Sequence, residues 1–305
     1  MTGLSLSRKA IIGFLFKTLT GLCAFAIIAV VVYLMLDIII GGLPHITWKF
    51  LTASPQQGMT AGGIFPAIIG TFLLVFIMSI VGVPVGVITA IYLSEYMKKG
   101  SLFGRFIRFA VNTLAGIPSI VFGLFGLGFF IQFVGSGLDR ALLPAGSLLW
   151  GKPCLLWASL TMALLTLPVV IVSVEEAIRT VPRELREASL ALGATKWETI
   201  RKVVLPGSIT GILTGAILAV SRGAGEVAPI LFTGAAYFLP QPPHALSDQF
   251  MELGYHIYIM STQSPDVDAT RGIQYATTLV LLGLTFMLNF SAIYLRYQMR
   301  TKAMK

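Results

Sequence analysis

Residues Pro182–Pro206 read PRELREASLALGATKWETIRKVVLP. Proline fits the first turn of a helix, where its missing N–H is not needed. Leu185, Ala188, Ser189 and Leu192 then recur at i, i+3, i+4 and i+7, which puts them on one helix face. Gly193 is expected to end that helix, because glycine takes the left-handed capping conformation without steric cost. Thr195 and Glu198 have the S/T-x-x-E spacing of a capping box and start a second helix. Trp197, Ile200 and Val204 are expected to share a face of it, and Pro206 to stop it. The segment therefore reads as two short helices with an elbow at Gly193-Ala194.

On either side of this elbow the chain is apolar. Of its 305 residues 56% are hydrophobic and only 11% charged, less than half the charge of an ordinary soluble domain. Most of the surface must face lipid. About 20 apolar residues cross the hydrocarbon core at 1.5 Å per residue. On that measure the spans are Leu19 to about Ile40, then segments within Ile64–Ser94, Phe109–Leu138 and Pro153–Val174, then about Gly207–Phe232, and Gly272–Leu295. Leu19–Leu36 is longer than a signal-peptide core and reads as a retained first span. Six spans put both termini on one side. Alternate connections and the termini hold seventeen Lys and Arg, against four in the others (Lys49, Arg140, Lys152, Arg271). The positive-inside rule then places the termini and the elbow in the cytoplasm.

The net charge of +9 does not indicate nucleic acid, since the basic residues sit in short blocks between apolar runs. Cys23 and Cys154 are too few and too distant for a disulfide framework, and His45, His244 and His256 are scattered, so no metal site is expected. In the connection 234–271, Leu246, Phe250, Leu253 and Ile257 recur at helical spacing and predict an amphipathic helix on the outer surface. Gly116, Gly123, Gly126, Gly128 and Pro118 mark the third span, and Pro84 and Pro168 the second and fourth. They point to close helix packing or hinges. Asn289 is a candidate interhelical hydrogen-bond partner.

Glu187-Ala188-Ser189, three residues, Gly193, nine residues, then Val203-Val204-Leu205-Pro206 resembles the EAA loop of ABC-importer permeases, E-A-A-x3-G-x9-I-x-L-P, with Ser189 and Val203 as mild departures. Gly70–Tyr96, Gly116–Phe130 and the run SRGAGEVAPILFT at Ser221–Thr233 look like the phosphate-specific importer permeases, the A-type subunit more than the C-type. The similarity covers about Gly62 to Tyr297. It implies an all-α integral membrane protein with a type I (MetI-like) permease core over 62–299, a preceding segment 1–61 with the first span, and a basic tail 300–305. Glu187, Ala188, Gly193, Leu205 and Pro206 would couple this chain to an ATPase dimer at the cytoplasmic face. The other implied partners are a homologous C-type permease and an extracytoplasmic phosphate-binding protein, in a bacterial inner membrane.

Arg222 and Glu226 lie in the predicted fifth span at i, i+4, expected on one helix face. Each costs about 2.5–3.5 kcal/mol at the centre of a lipid-facing helix, so both must face protein or a water-filled path. They read as a packing ion pair or as a cation offered to an anion in transit, with Glu226 pairing it when the path is empty. The resemblance favours translocation. Gly146–Lys152 spells G-x4-G-K, but Pro153 replaces the Mg²⁺-binding hydroxyl of a phosphate loop. With no Ser-His-Asp or Cys-His constellation either, no catalytic residue is assigned. ATP and Mg²⁺ belong on the partner ATPase. Competing readings are a permease for another oxyanion or small solute, a stand-alone carrier, and a membrane scaffold for sensing.

Overall fold

A computed structural model describes residues 8–56, 61–98, 100–144, 146–264 and 266–303. The end of the basic tail, including Lys305, lies outside the described residues. Among the described residues the regular structure is helical apart from one short hairpin, β1 (Pro55–Gln56) and β2 (Ala61–Gly62), and one isolated bridge. Among the described residues six helical segments are long and apolar enough to cross a membrane.

The first span is α1 (Arg8–Gly42), followed by a short α2 (Trp48–Thr52). The second is α3 (Phe65–Ile91), extended by a π-turn over Tyr92–Tyr96. The predicted third span divides. Its first part belongs to an amphipathic helix, α4 (Leu102–Ala115), with Phe103, Phe106 and Phe109 exposed along it. The span itself is α5 (Ser119–Phe125), a π-helical stretch Gly126–Gly135, and α6 (Ser136–Leu142). Pro118 causes the division: it has no N–H for a helical bond and pushes Ile117 out of the helical region. The fourth span, α7 (Leu155–Thr180), runs six residues past the predicted end, through Glu175 and Arg179.

Then come α8 (Arg183–Ala191) and α9 (Lys196–Thr199). The second elbow helix does not stop at Pro206, contrary to expectation. A π-turn over Ile200–Val204 joins α9 to α10 (Leu205–Gly223), and Pro206 lies in the first turn of α10. The wider π-turn makes room where the proline ring would meet the carbonyl one turn back. Nor do Trp197, Ile200 and Val204 share a face: Ile200 and Val204 are buried and Trp197 is exposed. The predicted fifth span is also cut short. The helix ends at Gly223, residues 224–229 are not helical, and α11 (Ile230–Thr233) follows.

α12 (Leu253–Thr262) precedes the last span, α13 (Val267–Ala303). Of the surface amphipathic helix expected around Leu246–Ile257, only the part from Leu253 on is helical, as α12, and Leu253 is buried rather than at the surface. Phe250 instead lies fully buried in a bridge to Ala235, with Ala236 N–H donating to the Phe250 carbonyl at 2.8 Å. The carbonyls of Thr233, Asp248 and Leu246 accept the first free N–H groups at the start of α7, from Cys154, Leu155 and Leu156 at 2.8–3.0 Å. A helix start needs such acceptors, and that need outweighs the local periodicity.

Small residues decide the packing. Gly82 lies against Ala163 and Gly86 against Val170, so α3 and α7 run parallel. Gly211 meets Ala177 and Gly215 meets Ser173, so α10 runs antiparallel to α7. Gly123 admits Pro229 and Phe232, and Gly126 admits Thr161 and Thr233; a side chain at either would clash. Gly116 and Gly128 have no such close neighbour. Pro84 and Pro168 sit inside continuous helices. Among the described residues α1 packs chiefly on α13, through Gly41 and Gly42 against Tyr275, and most of its described side chains are exposed. Alternation brings α8 and α9, the start of α1 and the end of α13 to one end of the bundle.

Candidate functional site

Two regions collect the residues with chemistry. The first is the knob made by α8, the elbow and α9. Gly193 has φ +85°, the left-handed conformation, and its N–H donates to Leu190 O while Ala194 N–H donates to Ser189 O. The capping box is complete: Glu198 N–H donates to Thr195 Oγ1 at 3.2 Å and Thr195 N–H to Glu198 Oε2 at 2.8 Å. A 2.9 Å bond between the Ser189 and Thr199 hydroxyls ties the two helices. Glu187 and Ala188 are exposed on α8, Leu205 is half-buried against the α3–α7 core, and Pro206 is exposed. The tip is apolar and uncovered, with Leu192 90% exposed and Leu185, Leu190 and Trp197 about half exposed.

Arg186, given no role by motif spacing, fastens this knob to the bundle. Its guanidinium donates to Glu95 of the α3 π-turn (3.0–3.2 Å) and to the Val181 and Ile178 carbonyls at the end of α7 (2.6 and 2.8 Å). Beside it Glu175, nearly buried, accepts from Arg108 of α4 and Arg179 of α7, both at 2.7 Å. Lys196 lies over the Tyr96 ring. Of the Arg108, Arg179 and Arg186 ion pairs, only Glu175–Arg179 has the i, i+4 spacing of one helix face; the others join residues 67 and 91 positions apart.

The second region is the break after α10. Arg222 Nε lies 3.4 Å from Glu226 Oε1. The expected pair forms, but not on a helix face, because the helix has ended at Gly223. Gly223 lets this turn lie against Met78, in the middle third of α3. The break is therefore at membrane depth, where non-helical backbone survives only inside protein or beside a water-filled cavity. Ser221 donates to Asn289 of α13 at 2.7 Å, the interhelical role expected of Asn289. The Arg222 and Glu226 side chains stay 40% and 24% exposed in the single chain.

The near-match to a phosphate loop has its own explanation. Backbone N–H groups of Leu149, Trp150 and Gly151 all donate to the Asp139 carboxylate at 2.7–3.1 Å. This anion-cradling loop already holds an anion, supplied by its own chain. Cys154 is buried and free, and burial raises its thiol pKa, which makes it an inert core residue.

Six apolar spans with an exposed elbow between two of them make this a multi-pass membrane protein, and the family match makes it a transport permease of the inner membrane. The family described as binding-protein-dependent transport system inner membrane component matches residues 82–301, and the chain belongs to it. It is similar to the probable ABC transporter permease protein YqgI of Bacillus subtilis, 34% identical over 82% of this chain and 84% of that one. The phosphate transport system permease protein PstA of Haemophilus influenzae is 32% identical over 72% of this chain and 68% of its own length. PstA 1 of Mycobacterium tuberculosis is 39% identical over 58% of this chain, which spans about half (52%) of that relative. In fold, the chain is similar to a protein in the crystal structure of a bacterial alginate ABC transporter, with TM-score 0.62, 14% identity and 98% of both chains covered.

Proposed function

We propose that this chain is a permease subunit of an ABC importer that carries inorganic phosphate into the cell. It pairs with a homologous C-type permease, and the knob seats on an ATPase dimer that holds ATP and Mg²⁺. A phosphate-binding protein delivers the anion at the opposite end. Both termini and the knob face the cytoplasm, as the distribution of Lys and Arg supports. The core begins near residue 62.

The Arg222–Glu226 pair carries the reading. An ion pair left part-exposed beside a helix break at membrane depth must face a partner chain or an aqueous path. A guanidinium there lowers the barrier for a divalent oxyanion, and Glu226 neutralises it when no anion is present. The names of the relatives supply the substrate class. At the other end, closure of the ATPases around the exposed tip of Leu192 would move α8. The Arg186 contacts would pass that movement to α3 and α7.

Phosphate uptake by the double variant Arg222→Met, Glu226→Met tests this reading. Replacing a buried pair by apolar groups is often neutral for folding. A translocation role predicts an assembled complex with almost no uptake, and Arg222→Gln alone behaves alike. Near-normal uptake by the double Met variant at matched assembly levels would reduce Arg222 to a packing residue.

A further inference from the structure

The knob end of the bundle holds an open cavity of about 640 Å³, bordered by the π-turn of α3, α4, the last turn of α7 and α8. Its charge is unbalanced. Lys98, Arg108, Arg179, Arg183 and Arg186 line it, against Glu95 and Glu187. Behind the wall Glu175 takes Arg108 and Arg179, and Glu95 takes Arg186. Five cations thus meet three carboxylates. Among the described residues Lys98 and Arg183 form no ion pair. A second observation concerns a hydroxyl in the same wall: Ser94 Oγ is buried and has no hydrogen-bond partner among the described residues.

Uncompensated cations around one concavity repel each other and favour an anion between them. An unpaired buried hydroxyl is a further deficit, which an acceptor would relieve. A phosphate oxyanion meets both needs, with two charges and several acceptor oxygens. Arg108, Arg179 and Arg186 are already held by carboxylates, so little side-chain freedom remains to be lost on binding. The volume exceeds that of inorganic phosphate and leaves room for a substituent.

We infer that this cavity is a second anion site, which binds a phosphate group either free or as the headgroup of an anionic lipid. An anion there ties α8 to α3 and α7, as Glu95 already does through Arg186, and so stiffens the knob against the spans. The site is at the opposite end of α10 from Arg222, and the inference does not depend on which solute the permease carries.

The test uses the full chain in phosphatidylcholine nanodiscs, titrated with inorganic phosphate by calorimetry, and in discs doped with phosphatidic acid, with retained lipid read by native mass spectrometry. The variant is Lys98→Gln with Arg183→Gln, which breaks no ion pair. Saturable phosphate binding that weakens about tenfold or more in this variant supports the free-anion form, at the strength expected of charge-assisted contacts. Retention of phosphatidic acid that the variant loses, without binding of free phosphate, supports the headgroup form. The charge-conserving exchange Lys98→Arg with Arg183→Lys should bind like the wild type in either arm. Equal binding by the wild type and the double Gln variant would overturn the inference. So would no binding of either probe, or phosphate binding abolished by Arg222→Gln and untouched by the double Gln change.

Discussion

At the scale of single residues, Gly193 and Arg186 govern the knob in different ways. A side chain at Gly193 would meet nothing within 4 Å, so the constraint there is backbone conformation alone. Gly193→Val should insert and assemble normally but lose most ATPase stimulation, because a β-branched residue resists positive φ by about 1–2 kcal/mol. Gly193→Asn, which tolerates that conformation, should keep most of it. Stimulation measured on the assembled complex separates the two, and a fully active Val variant would remove the elbow from the coupling path. Arg186 works through partners. Its side chain and that of Glu95 are 19% and 13% exposed, so Arg186→Met strands a nearly buried carboxylate and two helix-terminal carbonyls. The expected cost is about 3 kcal/mol, read as a lowered thermal midpoint, with part recovered by adding Glu95→Gln. No recovery would mean that the carbonyl contacts, not the ion pair, hold the knob. The glycine was legible because φ preference is local. Arg186 was not, because its partner is 91 residues away.

At the scale of elements, α12 carries two opposed titrations. Glu252 caps it, accepting from Gly254 and Tyr255 N–H at 2.8 and 2.6 Å, yet complete burial pushes its carboxyl up to about 7. His256, one turn on, is pushed down to about 4 by burial, and its Nδ1 has no partner among the described residues. Below its ordinary pKa the unfolded histidine takes a proton that the folded one refuses, so its contribution falls as pH drops from about 6.5 to about 4. Glu252 works the other way: the folded carboxyl keeps a proton that the unfolded one has lost, so its contribution falls as pH rises from about 4.5 to about 7. The two slopes nearly cancel where they overlap. Glu252→Gln should therefore lose several degrees of thermal midpoint between pH 6.5 and 4.5, and His256→Gln several degrees between pH 4.5 and 7. Flat profiles for both variants would show that neither group is held away from its ordinary pKa. The composition of Leu253–Thr262 does not disclose this, since burial comes from α3 and α13 packing around it.

For the whole molecule, alternation of the spans brings the knob and the two ends of the described chain together, and α12 precedes α13 at the other end. A reporter inserted near Lys196 should read cytoplasmic and one near Gln263 external, as the seventeen-to-four distribution of Lys and Arg predicts. An external signal at Lys196 would separate the knob from any cytoplasmic ATPase and end the coupling scheme.

The sequence by itself determined the six spans, the elbow with its glycine and capping box, and the presence of an ion pair after α10. These follow from local rules: desolvation of about 20 apolar residues, backbone preference at one glycine, and hydrogen bonds between residues three apart. The tertiary structure decided where helices break. Pro118 divided a span that composition made continuous, and Pro206 did not divide one, because a π-turn could absorb it. It also turned Leu246–Phe250 from an expected surface helix into the cap of α7, and gathered Arg108, Glu175, Arg186 and Glu95 at one end of the bundle. Those outcomes depend on which distant group satisfies a buried backbone or charge, and residue spacing holds no record of that.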